Sequence, residues 1–248
     1  MNGVHGGPAS VDRALDLLEA IARSPEPVGA KSLAGELGCA LSTVYHLLAP
    51  LTARGHVART GAGYVLGPRV PALYRSFQRH AGIDAGTRGL LLGVRRAVGA
   101  HAYLSVRRGG RIAVVDSTTA VTADAADPFE VGLDQGAHAT AHGKVLLASL
   151  GRPARRRYLD EHGLPRLTEH TITSPDRFEA ELRRVRAAGV AVSVGETDPA
   201  YTCVAVPLGD GTRALSVSLP TARFRGRRSE LARVLTRAAR HGFPAASE

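Results

Sequence analysis

Two stripes of side chains run along the segment from about Ala40 to Arg54. One stripe is apolar and follows the i, i+3, i+4, i+7 spacing of a buried helix face. Its members are Val44, Leu47, Leu48 and Leu51. The other stripe keeps this spacing two positions earlier, about 200° around a helix. Its members are Ser42, Tyr45, His46 and Ala49. These residues are small or can donate hydrogen bonds, as a helix that contacts base edges in the major groove of DNA requires, so the pattern predicts a recognition helix.

Two shorter helices are predicted before this one. Ser10 is expected to cap the first helix, whose apolar residues recur at helical spacing until residues 24–27 break it. The second helix covers about Ala30 to Leu37 and is followed by a tight turn at Gly38 and Cys39. A short helix, a tight turn and a longer helix with a polar face make a helix-turn-helix.

A β-hairpin is predicted after Gly55, because two short β-prone runs, HVAR and YVL, flank the Gly-rich turn TGAG. This hairpin is a candidate wing. Residues 10–67 are therefore expected to form a winged helix-turn-helix DNA-binding domain, preceded by a flexible tail at residues 1–9. A linker helix is expected within residues 68–83.

The distribution of charge agrees with a polyanionic partner. The chain of 248 residues has 32 basic and 22 acidic side chains, which gives a formal net charge of +10. Codon bias in a GC-rich genome explains that total equally well, so position is more informative. The segment from Leu37 to Ile83 contains five arginines and no carboxylate. A surface with arginines and no acid is what contact with DNA phosphates requires. The alternative to DNA binding is a helical subdomain whose polar face is only solvated.

Residues 84–248 alternate between helix-like and strand-like segments, which predicts a mixed α+β domain. The predicted helices are Leu90–Val98, Thr140–Leu150, one that begins at Pro175 with Ser174 as its cap, and Arg227–Arg240. The predicted strands are 102–106, 111–117, 190–194, 202–208 and 213–219. No run of about 18 apolar residues occurs, and the first ten residues lack a signal-peptide pattern. A cytoplasmic location and no membrane partner are therefore expected.

Two serines on one predicted strand could bind an acid. Ser216 and Ser218 are two residues apart, so they project from the same side of the strand. Together with the start of the helix near Thr140, their hydroxyls and nearby backbone N–H groups could hold a carboxylate. The alternative is a sheet face that is partly wet.

The order of these segments resembles a known family. SVDRALDLLEAIA, SLAGELGCALSTVYHLLAPL and GHVARTGAGYVLGPRV resemble the N-terminal domain of the IclR-type transcriptional regulators, and HATAHGKVLLASL resembles the start of their effector-binding domain. The resemblance covers about Ser10 to Phe224. It implies a winged-helix domain, a linker helix used in dimerisation and a GAF-like α/β effector-binding domain. It also implies that dimers, or dimers of dimers, bind operator DNA and respond to small organic acids.

The resemblance implies which residues contact DNA. Ser42, Thr43 and Tyr45 match the family pattern of the recognition helix. Arg54 and Arg59 flank this helix and the wing, and we expect them to contact phosphate. The predicted DNA-binding residues are Lys31, Ser42, Thr43, Tyr45, His46, Arg54, Arg59 and Tyr64.

The resemblance also implies which residues surround the effector. They are Ala141, His142, Ser193, Cys203, Ser216 and Ser218. This chain departs from the family at several positions. His46 and Leu41 stand where a basic residue is common, which removes possible donors to guanine. Ser193 stands where an acid is common, and Pro50 is expected to kink the recognition helix.

Other functions are weighed against this one. Cys203 could be drawn as a nucleophile with His138 or His142 and Glu196, but it lies in the apolar run TCVAV, where a thiolate is costly. His138 and His142 form the only i, i+4 histidine pair, with no third ligand near in sequence. We therefore expect no enzyme, no metal and no other cofactor, and a structural role for His138. A C-terminal domain that only assembles subunits, without a ligand, stays open as an alternative.

Overall fold

The computed structural model describes residues 8–119, 132–133 and 136–241, and the chain divides into two compact units after Gly82. The domain limits expected from the sequence, 10–67, 68–83 and 84–248, stay predictions. Of the expected tail, residues 1–7 lie outside the described residues. Within the described part of the chain, no helix has the length and apolarity needed to cross a bilayer.

The described part of the first unit consists of four helices and a hairpin. They are α1 (Ala9–Arg23), α2 (Ala30–Glu36), α3 (Leu41–Ala53), β1 (Val57–Arg59), β2 (Tyr64–Leu66) and α4 (Arg69–Ala81). The expected cap of α1 is wrong, since the helix already includes Ala9 and no side chain caps it. Ser10 therefore lies inside the first turn, one position beyond the helix start, rather than at the capping position.

The core of this unit is built from the apolar stripes of its helices. Leu17, Leu33 and Val44, one from each of α1 to α3, are completely buried in one apolar cluster. Val28 lies beside the hairpin, because its N–H donates to the carbonyl of Tyr64 at 2.9 Å and its carbonyl accepts from the N–H of Tyr64 at 2.8 Å. The hairpin is thus tied to the chain between α1 and α2.

Pro50 does not end α3, which continues to Ala53. The proline lies in the last turn. Because it has no N–H, the carbonyl of His46 is the one that loses its helical hydrogen-bond donor. The N–H of Arg54 still donates to the carbonyl of Pro50 at 3.1 Å. The helix is therefore continuous through the turns where the predicted base contacts lie, and the expected kink at Pro50 stays a prediction.

The second unit combines helices with one sheet. Its helices are α5 (Ala85–Val98), α6 (Ala141–Ala148), α7 (Arg152–His162), α8 (Pro175–Ala188), α9 (Thr221–Phe224) and α10 (Arg228–His241), with a 3-10 turn at Ala137–Ala139. Its strands are β3 (His101–Arg108), β4 (Arg111–Ser117), β5 (Gly132–Leu133), β6 (Ala191–Val194), β7 (Tyr201–Leu208) and β8 (Arg213–Pro220). The strands pair in the order β5-β4-β3-β8-β7-β6, and each pair is antiparallel. The α+β prediction is confirmed.

The two faces of this sheet carry different helices. Residues of one face, among them Tyr103, Cys203 and Ala205, form an apolar cluster with residues of α6 and α8. Their neighbours in sequence point to the other face, where α10 contacts β7 and α5 contacts β3. The face toward α6 is the one that carries Ser216 and Ser218.

Helices α5 and α7 differ from the sequence-based expectation for local reasons. Helix α5 begins at Ala85 rather than Leu90, because the carboxylate of Asp84 caps it by accepting from Thr87 N–H at 2.8 Å. Helix α7 is not anticipated, because its sequence RPARRRYLDEH has no regular apolar stripe. Its buried Arg155 is held instead by two hydrogen bonds to the carboxylate of Glu179, at 2.6 and 3.0 Å.

Candidate functional site

The polar stripe of α3 faces solvent. Ser42, Tyr45 and His46 are exposed, Tyr45 by 50 %, and Thr43 is half-buried. Val44, on the opposite side of the helix, is completely buried. Because the core holds that side, the rotation of α3 about its axis is fixed and the polar stripe points outward. Hydroxyls and an imidazole presented in this way can donate to base edges.

Three cations predicted to contact DNA are also exposed. Lys31 belongs to α2, Arg54 follows the last residue of α3, and Arg59 ends β1. Glu36, an acid of α2, is paired with Arg23, whose Nη2 lies 2.7 Å from its Oε1. The pairing neutralises this carboxylate, and the three cations are available to phosphate.

Tyr64 has a different place from the one expected. It is only 8 % exposed and belongs to the apolar core of the first unit. Along β2 the exposure rises from Tyr64 through Val65 to Leu66, which is 39 % exposed. Tyr64 therefore packs in the core of the first unit at the start of β2, whereas Leu66 at the end of the strand is exposed, and a DNA contact of Tyr64 stays a prediction.

Three predicted effector residues form a row across neighbouring strands. Ser193 on β6 is directly opposite Cys203 on β7, and Cys203 is directly opposite Ser218 on β8. Ser216 lies one row further along β8, opposite Ala205. Directly opposed residues of antiparallel strands project from the same face. The sheet therefore brings together four residues that span 26 positions from Ser193 to Ser218.

Among the described residues, this face carries three buried hydroxyls without a hydrogen-bond partner, and we call it the hydroxyl face. It comprises Ser105, Ser216 and Ser218, which are 0 %, 0 % and 4 % exposed. Tyr103 of β3 is directly opposite Ser216 of β8, so the two side chains project from one face. Ser105 lies two residues after Tyr103 and therefore projects from that face as well. The face is therefore not the partly wet surface left open by the sequence. Sequence reasoning missed Ser105, because it joins Ser216 and Ser218 only through the pairing of β3 with β8.

The start of α6 is fixed next to this face. The carbonyl of Ala139 accepts hydrogen bonds from the hydroxyls of Ser193 and Thr197, and Thr140 caps α6 by accepting from Gly143 N–H at 3.0 Å. Gly143 has no room for a side chain, since a Cβ there would stand 1.9 Å from the carbonyl oxygen of Ala137. Ala141 and His142, both predicted to surround the effector, are completely buried at this helix start.

A buried ion pair lies in the same unit and was not predicted. Lys144 of α6 is completely buried, and its Nζ donates to Oε1 of Glu196, which is 7 % exposed. Burial raises the pKa of the Glu196 carboxyl, while the charge of Lys144 opposes that rise. The pair joins α6 to the connection between β6 and β7. That Lys144 is one of only two lysines was the available signal.

His138 and Cys203, which were weighed as catalytic or metal-binding residues, are packed inside the second unit. Nε2 of His138 lies 2.9 Å from the carbonyl oxygen of Pro165, and its ring packs edge-on against Phe178. Cys203 is buried in the sheet. Among the described residues, no group of three or more His, Cys, Asp or Glu side chains is placed to hold a metal.

Comparison with known proteins identifies both units. The profile of the IclR helix-turn-helix domain matches residues 10–61, and that of the bacterial transcriptional regulator IclR C-terminal domain matches residues 78–241. The HTH-type transcriptional regulator BhcR of Paracoccus denitrificans is 34% identical over 227 residues, which are 88% of this chain and 80% of that protein.

Solved structures agree with this assignment. The IclR of Thermotoga maritima superposes with a TM-score of 0.75 over 93% of this chain and 96% of that one, at 24% identity. The inducer-binding domain of PobR from Acinetobacter, a double mutant in complex with 3-hydroxybenzoic acid, has a TM-score of 0.54 and 26% identity over 60% of this chain and 91% of that one. The chain belongs to the IclR family of DNA-binding transcriptional regulators, which are not enzymes.

Proposed function

We propose that this regulator changes its affinity for operator DNA when a small organic acid binds between the hydroxyl face and the start of α6. The observation that carries the proposal is the set of three buried hydroxyls without partners. A buried polar group without a hydrogen bond is costly, and an anionic ligand would accept bonds from such hydroxyls. In the PobR inducer-binding domain the bound molecule is a hydroxybenzoic acid, which agrees in chemistry.

The DNA-binding half of the proposal rests on α3 and its flanking cations. Ser42, Tyr45 and His46 would contact base edges, while Arg54 and Arg59 would contact phosphate. Base contacts would then decide which operator is bound, and phosphate contacts would set the register and much of the affinity. Binding to chromosomal DNA implies a cytoplasmic location.

We further propose that the operator is bound by a dimer. Helix α4 has no buried residue, and three of its large apolar side chains are exposed: Leu73 by 52 %, Tyr74 by 44 % and Phe77 by 37 %. Helix α1 likewise exposes Val11 and Leu15 by 51 % and 53 %. Such surfaces favour association. A dimer would read two half-sites spaced by one or more helical turns of roughly 34 Å.

Footprinting on the DNA beside the protein's own gene tests the proposal. We expect two protected half-sites. We also expect protection to change when a panel of small acids is tested and the acid that the protein binds is added. A folded protein that is monomeric at micromolar concentration and still protects two half-sites would contradict the dimer. Protection that no acid alters would favour the alternative in which the C-terminal unit only assembles subunits.

A further inference from the structure

An open cleft of about 660 Å³ lies at the end of the large sheet, where β3 and β7 begin and β8 ends. Clefts of this size hold small molecules. Its lining includes Ser218 of the hydroxyl face, together with His101 and Tyr103 of β3. The hydroxyl of Ser218 is buried without a partner, and so is Nδ1 of His101. The cleft thus adjoins the hydroxyl face at Ser218, at the end of the sheet.

The outer part of the cleft is strongly basic. Arg95 and Arg96 come from the last turn of α5, and Arg223 comes from α9. All three side chains are exposed, and no acidic residue is among the described residues that line the cleft. One donor of Arg95 is used, since its Nη1 bonds to the carbonyl of Thr118 at 2.6 Å.

The end of α5 explains only part of this charge. A helix C-terminus attracts cations, and Nη2 of Arg223 lies 3.9 Å from the point where a Cβ on Gly99, the residue after α5, would stand. The negative end of a helix dipole, however, is equivalent to only about half an elementary charge. Three guanidinium groups therefore leave a large positive excess beside a cleft that holds no compensating carboxylate among its described lining residues.

We infer that the effector carries two anionic groups, one bound at the hydroxyl face and the second bound by Arg96 and Arg223 at the cleft mouth. This inference rests on the proposed function of the hydroxyl face. The ligand class is a small dicarboxylate or a phosphorylated carboxylic acid. A guanidinium group suits the second anion because it offers paired donors to carboxylate or phosphate oxygens.

Binding of matched probes tests the inference. The probes are terephthalate and benzoate, adipate and hexanoate, and 3-phosphoglycerate and glycerate, each pair measured by isothermal titration calorimetry on the full chain. In at least one pair we expect the member with two anionic groups to bind tenfold or more tightly than the member with one. The double variant Arg96→Gln with Arg223→Gln should remove this advantage. Arg237→Gln, an exposed arginine that does not line the cleft, should keep it.

Two further results separate this inference from the proposed function. Equal or undetectable binding of both members of every pair, or an advantage that survives in the Arg96 and Arg223 variant, overturns the inference. If Ser216→Ala with Ser218→Ala abolishes binding while the arginine variant behaves as wild type, the effector site stands and the second subsite does not. If only the arginines matter, the arginine subsite stands and the proposed effector site is overturned.

Discussion

The DNA-reading surface and the effector site are built in opposite ways. The polar stripe of α3 comes from consecutive turns of one helix, is exposed, and needs the core only to fix its orientation. The hydroxyl face comes from β3 and β8, which are more than 100 positions apart in sequence, and is buried. Substitutions on the first surface should therefore change DNA binding and leave stability alone. Substitutions that leave a buried group near the second without its partner should lower stability as well.

The largest effect is expected from the buried ion pair. Lys144→Met leaves the carboxylate of Glu196 buried without its partner, which should lower the free energy of unfolding by about 3–5 kcal/mol. Urea denaturation followed by circular dichroism measures this change. The matched control is Arg184→Met, which breaks an exposed pair with Glu181 and should cost well under about 1 kcal/mol. Equal costs for both variants would contradict the comparison.

The same variant should acquire a pH dependence. Burial already raises the pKa of Glu196, and loss of Lys144 should raise it further. A carboxyl whose pKa is higher in the folded than in the unfolded state stabilises the fold below its unfolded pKa. That stability is lost as pH rises through the folded pKa. Lys144→Met should therefore lose stability relative to the parent protein as pH increases above the usual carboxyl range. A constant difference across pH would show that Glu196 is not the group left unpaired.

On the DNA-reading surface, the largest effect should come from the base-contacting side chains. Tyr45→Ala should cost about 1–3 kcal/mol of discrimination between operator and mutated sites, without changing the melting temperature. His46→Arg should instead favour guanine at the base pair it contacts, because arginine can bind guanine through two hydrogen bonds. Selection from randomised operator libraries measures both preferences. Unaltered preference in both variants would remove these residues from the interface.

Phosphate contacts should have a different signature. Arg54→Gln or Arg59→Gln should weaken binding to all sequences alike and reduce the slope of log affinity against log salt by roughly one unit. Arg156→Gln, an exposed arginine of the second unit, serves as the control and should leave the slope unchanged. Loss confined to the operator would instead assign the altered arginine to base readout.

The smallest effect is expected at Tyr64. Its ring is part of the core of the first unit, so Tyr64→Phe should keep operator affinity within about twofold, as expected for a residue outside the readout. Electrophoretic mobility shifts on the operator measure this. A tenfold loss with unchanged melting temperature would restore Tyr64 to the DNA contacts.

Sequence reasoning reached the two sites to different depths, for physical reasons. Helical periodicity located α3 and both of its stripes, because spacing within one helix is a local property. It gave no sign that Tyr64 packs in the core of the first unit, because the direction of a residue in a three-residue strand depends on what the hairpin packs against. The period of two correctly put Ser216 and Ser218 on one face, but Ser105 joins them only through strand pairing. The pairing of Lys144 with Glu196 likewise depends on a contact across 52 positions.

The central claim is that the hydroxyl face senses an acid and does not itself hold the operator-binding structure together. The double variant Ser216→Ala with Ser218→Ala tests it most directly. Both hydroxyls lack partners within the described part of the chain, so their loss should not lower the melting temperature. The measurement is operator affinity with and without the acid that alters the footprint of the parent protein. We expect an operator affinity within about twofold of the parent without acid, and no response when acid is added. A folded variant that still responds to the acid, or that no longer binds the operator in its absence, would contradict it.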